Sequence, residues 1–211
     1  MHERVLRLLA PRNGHFRYES GYHSDLWMDL EQLCQRPREL QAFILELATR
    51  LEKYDIDGIC GALNEGAFLA LMVASQMDVA FSYSERFDDG SRDKLFPVTY
   101  RIPGVLRDKI RGKRIAIVND VISAGSAVRG TYNDAKACGA DPVVVGALLV
   151  LGDAFSEFAA ANGFPVESLA FAPNNMWDPA HCPLCASNVP LEIPFANSRR
   201  DNRRHPAGDR V

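Results

Sequence analysis

The sequence predicts an α/β fold, with a mostly parallel central sheet and helices on both faces. Three observations carry this. Short apolar, β-branched runs alternate with helical stretches along the 211 residues. Two of those runs pass through a short glycine-containing loop directly into a helix, around Gly61–Gly66 and Gly125. Hydrophobic residues make up 47% of the chain, enough for a substantial core.

In chain order, Glu3–Ala10 reads as a short helix and Tyr18–Leu30 as an irregular loop running into a strand. Leu40, Phe43, Ile44, Leu47 and Leu51 fall on one face of a helix, with charges opposite. Ile56–Gly61 is a strand, Gly66–Met77 an apolar helix and Val79–Tyr83 a strand. Glu85–Lys94 is polar and charged, with Asp89-Gly90-Ser91 as its turn, and Pro97–Ile102 a further strand. Arg114–Val118 is the central strand, Ser126–Cys138 its helix and Val143–Leu151 another buried strand. From Asn197 onward the chain is Arg-rich with little to bury, so residues 197–211 are expected to be a disordered tail.

A net charge of −3 does not favour nucleic acid as a partner. No apolar run approaches a membrane span, and Met1-His2-Glu3-Arg4 does not open an apolar signal core, so the expectation is a cytoplasmic protein. The five cysteines are odd in number and mostly scattered, which favours reduced thiols over a disulfide scaffold.

The chemistry concentrates in Arg114-Ile115-Ala116-Ile117-Val118-Asn119-Asp120-Val121-Ile122-Ser123-Ala124-Gly125-Ser126-Ala127. A buried strand ends in Asn119 and Asp120, then a Ser/Gly loop opens a helix. Backbone N–H groups and hydroxyls at a helix mouth bind anions, and the adjacent carboxylate can take sugar hydroxyls. The pairing suits a phosphorylated sugar. These residues resemble the 5-phosphoribosyl-1-pyrophosphate (PRPP) motif of type I phosphoribosyltransferases. The resemblance implies a Rossmann-like fold with a small hood. It assigns the 5′-phosphate to Ser123, Ala124, Gly125, Ser126 and Ala127, and the ribose hydroxyls to Asp120 with Asn119.

Further segments extend the resemblance. Cys60-Gly61-Ala62-Leu63-Asn64-Glu65-Gly66-Ala67 lies where that family binds pyrophosphate, implicating Asn64, Glu65 and Gly66. Tight packing of a glycine at a helix start explains the same residues. Gly14–Asp25 resembles the N-terminal signature of orotate phosphoribosyltransferases, with Ser20, Gly21, His23 and Ser24 at matching positions near the base and the hood. Glu85–Arg101 is the expected lid, with Arg86, Arg92 and Lys94 as cations for pyrophosphate, and a solvated charged hairpin as the alternative. By the same resemblance residues 1–196 form one phosphoribosyltransferase domain, its hood drawn from 1–36 and part of 165–196. The resemblance also implies Mg²⁺, entering mainly through the substrate near Asp120, and a homodimer.

His181-Cys182-Pro183-Leu184-Cys185 is half of a zinc site, a C-x₂-C with a neighbouring His. No second C-x₂-C or H-x₃-H accompanies it. Zinc at Cys182 and Cys185 would need Cys34, Cys60, Cys138, a distant His or another subunit, and a reduced structural turn is the favoured reading.

Four departures from the family pattern bear on the substrate. Asn119 replaces the first acid of the PRPP motif. Glu19 stands where many orotate enzymes carry Lys. The lid lacks their Lys- and His-rich pattern. Gly152-Asp153-Ala154 carries no Arg where one usually meets the orotate carboxylate. The expected function is phosphoribosyl transfer from PRPP to a nucleobase, orotate by resemblance, giving orotidine 5′-monophosphate and pyrophosphate. The alternatives are another base such as a purine, or a PRPP- or nucleotide-sensing protein without turnover.

Overall fold

A computed structural model describes residues 1–88 and 98–194, without the Asp88 side chain. Its helices and strands in chain order are α1 (His2–Leu9), β1 (Arg12–Arg17), β2 (His23–Trp27), α2 (Pro37–Leu51), β3 (Gly58–Ala62), α3 (Glu65–Met77), β4 (Ala80–Asp88), β5 (Val98–Arg101), α4 (Gly104–Ile110), β6 (Arg114–Ile122), α5 (Ser126–Ala137), β7 (Asp141–Leu151), α6 (Ser156–Asn162), β8 (Val166–Ala172), β9 (Met176–Trp177) and α7 (Pro183–Ala186).

Six strands form the main sheet in the order β5-β4-β3-β6-β7-β8. All neighbours are parallel except β4 and β5, which pair antiparallel at one edge. Side chains alternate across a strand, so both faces of a central strand must be apolar when helices cover both. In β6, Ala116 and Val118 join the core under α1, α2 and α3. Ile117 packs instead with Val128 and Tyr132 of α5 and Ala159 of α6, and Ile115 with Ile110 of α4. The face of α2 read from the sequence is the buried one: Leu40, Phe43, Ile44, Leu47 and Leu51 all lie in the core.

A second, three-stranded antiparallel sheet has the order β1-β2-β9. It joins residues 12–27 to the segment at residues 176–192, where Glu192 bridges to Phe16 and pairs with Arg12 at 3.1 Å. Helix α1 packs on the main sheet through Val5 and Leu9, not on the small one.

Several elements differ from expectation. The N-terminal loop is a hairpin: β1 was missed because Arg12-Asn13-Gly14-His15 shows no apolar alternation. β4 runs on to Asp88, because antiparallel pairing with β5 satisfies the backbone of polar residues that were expected to lie outside the sheet. β6 continues through Asn119 and Asp120 to Ile122, paired to β7 along its length. Elements α4, α6, β8, β9 and α7 are additional. Residues 197–211 lie outside the described residues.

Candidate active site

At the C-terminal ends of β3 and β6 lies a cavity of 300 Å³. Parallel α/β sheets bind ligands at this end of their strands. Residues 62–66 line it, as do residues 119–121 and 123–128. The small-sheet side contributes Tyr18, Glu19, Ser20 and Trp27, and Tyr100 and Leu151 complete the walls. The motif residues separated in sequence are therefore neighbours in space.

The loop at residues 123–127 offers the donors that an anion would use. Gly125 caps α5 with φ +78°, and no side chain caps the helix. The first N–H groups of an α-helix have no partner within it, so they face the cavity mouth as donors. Glycine is required twice over at this position. The backbone is left-handed, and a Cβ would sit 2.3 Å from Phe155 Cδ2. Arg129, one turn into α5, braces the loop from behind. Its Nε donates to Ala124 O at 2.8 Å and an Nη to Ala154 O at 2.9 Å, while its guanidinium lies over Phe158. Sequence reading did not single out Arg129; its position facing Phe155 and Phe158 of α6 was the missing signal.

Asp120 is buried at the end of the strand. Its Oδ1 accepts from Asn119 Nδ2 and from Val121 N, both at 2.8 Å. Burial, and then the nearby Glu65, push its carboxyl up to about 7, against the lowering effect of the Val121 N–H. Asn119 explains its own departure from the motif. Its amide donates to Asp120 and to Val121 O. A carboxylate there would face Asp120 charge to charge. Asn119 Oδ1 looks across at Gly66, where a Cβ would come within 2.2 Å. Gly66 thus lets the start of α3 approach β6.

Asn64 precedes α3 as its N-cap residue, without a side-chain cap, and the Leu63–Asn64 peptide is cis. Glu65 is pushed up by burial and by Glu31. Glu19 meets two partners: Tyr100 Oη donates to it at 2.8 Å, and Arg86 Nε lies 2.8 Å from its other oxygen. Arg86 is therefore occupied by Glu19 in this conformation and is a β4 strand residue rather than a loop cation. Arg92 and Lys94 lie outside the described residues. Among the described lining residues there are four acids, Glu19, Glu31, Glu65 and Asp120, and no lysine or arginine.

Of the four N-terminal candidates, Ser20 lines the cavity. Gly21 turns the hairpin at φ +91°. Ser24 is buried and reaches the phosphate-type loop through a relay: Ser24 Oγ donates to Asn174 Oδ1 at 3.0 Å, and Asn174 Nδ2 donates to Ser123 Oγ at 3.1 Å. Asn174 was not foreseen, since it lies about fifty residues beyond its partner in a stretch without periodicity. His23 points away from the cavity, into a cluster with His15, Cys182 and Cys185. Burial, then His15, hold its imidazole below the ordinary value. His181, beside the C-x₂-C, is exposed near Asp178 and stands outside that cluster.

A glycine-mouthed helix after the central parallel strand, with a buried carboxylate beside it, is the arrangement expected of a phosphoribosyltransferase. No model of a known protein family matches the chain. The orotate phosphoribosyltransferase of Caldanaerobacter subterraneus subsp. tengcongensis is 29% identical over 197 residues, covering 91% of this chain and 96% of that one. The orotate phosphoribosyltransferase of Thermotoga maritima is 30% identical over 185 residues, covering 88% and 91%. The crystal structure of orotate phosphoribosyltransferase from Aeropyrum pernix superposes with a TM-score of 0.61 at 19% identity, over 81% of this chain and 93% of that one, a likeness of fold. The chain belongs to the orotate phosphoribosyltransferase family.

Proposed function

We propose that this protein transfers the phosphoribosyl group of PRPP to orotate, giving orotidine 5′-monophosphate and pyrophosphate in pyrimidine synthesis. The observation that carries the reading is the shared cavity: the uncapped start of α5, the Asn119–Asp120 pair and the start of α3 line one space of 300 Å³. Kinship with orotate phosphoribosyltransferases over most of both chains supports orotate as the base.

The 5′-phosphate seats on the backbone N–H groups of residues 123–127, completing donors that α5 leaves free. Asp120, held by Asn119 and the Val121 N–H, accepts from the ribose hydroxyls. Residues 64–66 face the pyrophosphate. As the bond from ribose C1′ to pyrophosphate breaks, positive charge develops on the ribose and the ring nitrogen of orotate bonds to C1′. Asp120 lies beside that developing charge and stabilises it. Little proton chemistry falls to the protein, so positioning and electrostatics carry the rate.

Four acids, with Arg86 already paired to Glu19 and no lysine or arginine in the described lining, make a poor cradle for pyrophosphate by themselves. They make a good one for a substrate carrying a hard divalent ion, since oxygen donors are what Mg²⁺ takes. Asp120 and Glu65, whose charge raises the proton affinity of Asp120, are the residues that would hold Mg²⁺. When bound, the ion offsets the charge of the departing pyrophosphate. Ser20 and Tyr18, on the small-sheet side, form the hood over the base. A second copy of the chain completes a homodimer. Leu45, Phe68 and Leu71, exposed on the adjacent helices α2 and α3, support an apolar pairing face.

The test is pyrophosphate release from PRPP and Mg²⁺ with a panel of bases. Orotate alone should drive release. Release driven by adenine or hypoxanthine instead would replace the base, and the absent Arg at Gly152-Asp153-Ala154 is where such a difference would originate. PRPP binding without release for any base would point to a sensor.

A further inference from the structure

We infer that His15, His23, Cys182 and Cys185 form a structural zinc site that ties the N-terminal hairpin to the C-terminal segment. The ligand atoms are His15 Nε2, His23 Nδ1 and the two Sγ atoms, all within 4.8 Å of one another. His15 Nε2 lies 3.2 Å from His23 Nδ1, 3.4 Å from Cys182 Sγ and 3.7 Å from Cys185 Sγ, and Cys185 Sγ lies 3.3 Å from His23 Nδ1. A tetrahedral zinc centre with ordinary bond lengths has N···N edges of about 3.3 Å and N···S edges of about 3.6 Å. Four of the six edges fall within about 0.3 Å of those figures, and the other two are no longer than 4.8 Å.

The surroundings agree with the geometry. His15 Nδ1 lies 2.8 Å from Val189 O. An Nδ1–H donated to that carbonyl leaves the Nε2 lone pair facing the cluster, the orienting contact that metal-bound imidazoles use. Cys182 begins the single turn of α7, so C-x₂-C spacing brings both sulfurs to one side. His15, His23 and Cys182 are buried, and Cys185 forms the exposed corner. On binding, both thiols release their protons to solvent, and two thiolates neutralise Zn²⁺. A neutral centre is what a buried site tolerates. Two sulfurs and two imidazole nitrogens in a tetrahedron select zinc among the common divalent ions.

The site closes a loop of 167 residues between His15 and Cys182. It fixes β1 and β2 against the segment that carries Asn174 and Glu192, and so holds the Ser24–Asn174–Ser123 relay beside the cavity.

The experiment is elemental analysis of the full chain purified from zinc-supplemented cells without a metal-binding tag, followed by cobalt substitution. About one zinc per chain is expected, and Co²⁺ should give the visible bands of a tetrahedral ion with a thiolate charge-transfer band. Cys185→Ser, at an exposed position, should fold and lose most of the metal, whereas Cys34→Ser, outside the cluster, should keep it. The circular dichroism of both variants confirms folding independently. Reduced, folded protein that takes up neither zinc nor cobalt overturns the inference. So does a Cys182–Cys185 disulfide in place of metal, or a Cys185→Ser variant that holds zinc at wild-type stoichiometry.

Discussion

Under the proposed mechanism, Asp120 sets function against stability at a single residue. Its carboxyl stands at about 7 in the folded protein against an ordinary 3.8. Between those values the folded chain holds a proton that the unfolded chain has released, so stability falls as pH rises through that window. Asp120→Asn removes the buried charge and keeps an oxygen acceptor for the Val121 N–H. Calorimetry should show a melting temperature roughly 2–6 °C higher at pH 8 and unchanged near pH 4. Pyrophosphate release should fall about 100-fold or more, because the group beside the developing charge is gone. In the wild type, kcat/KM should rise with pH to a plateau above an apparent pKa near 7, as Asp120 ionises. Gly125→Ala fails for a different reason: it strains a left-handed backbone and meets Phe155. It should cost about 1–3 kcal/mol of stability and weaken PRPP binding at least about tenfold, read by denaturant titration and calorimetry.

At the scale of elements, the loop before α5 depends on what lies behind it. Arg129→Met keeps the stem and removes the contacts to Ala124 O and Ala154 O. The expected result is a raised KM for PRPP with a smaller change in kcat, measured in steady state, since the loop orients the phosphate rather than the reacting carbon. Helix α2 tests the core: Leu47 is fully buried beside Gly146, and Leu47→Ala should cost about 2–5 kcal/mol in chemical denaturation. Elements with a clear apolar face or a continuous apolar run were legible from sequence, notably α2, α3 and β6. Those defined by pairing were not. β1 and the outer half of β4 consist mostly of polar residues whose strand form is set by partners elsewhere in the chain. The same holds within the site. Asn119, Asp120 and Gly125 announce themselves by local pattern, whereas Arg129 ties the nearby Ala124 to Ala154, 25 residues on, and Asn174 reaches Ser123, 51 residues back. The ion pair of Glu19 with Arg86 is likewise visible only once β4 and the hairpin meet.

For the whole molecule, the sheet places two loops from distant segments at one mouth, and the small sheet joins the N-terminal hairpin to β9 beside it. The described lining is acidic, so affinity for PRPP should depend steeply on Mg²⁺. No helix among the described residues is long and apolar enough to cross a membrane. Light scattering at micromolar concentration should give the mass of two chains, and Phe68→Glu should shift it toward one if α3 is the pairing face. The proposed seat of orotate phosphoribosyl transfer is the Asp120 cavity. The most direct test is orotate-dependent formation of orotidine 5′-monophosphate from PRPP and Mg²⁺, measured side by side in the wild type and Asp120→Asn. Turnover in the wild type with a loss of about 100-fold or more in the folded variant is the predicted result. Equal turnover in both, or none in a wild type that binds PRPP, would contradict it.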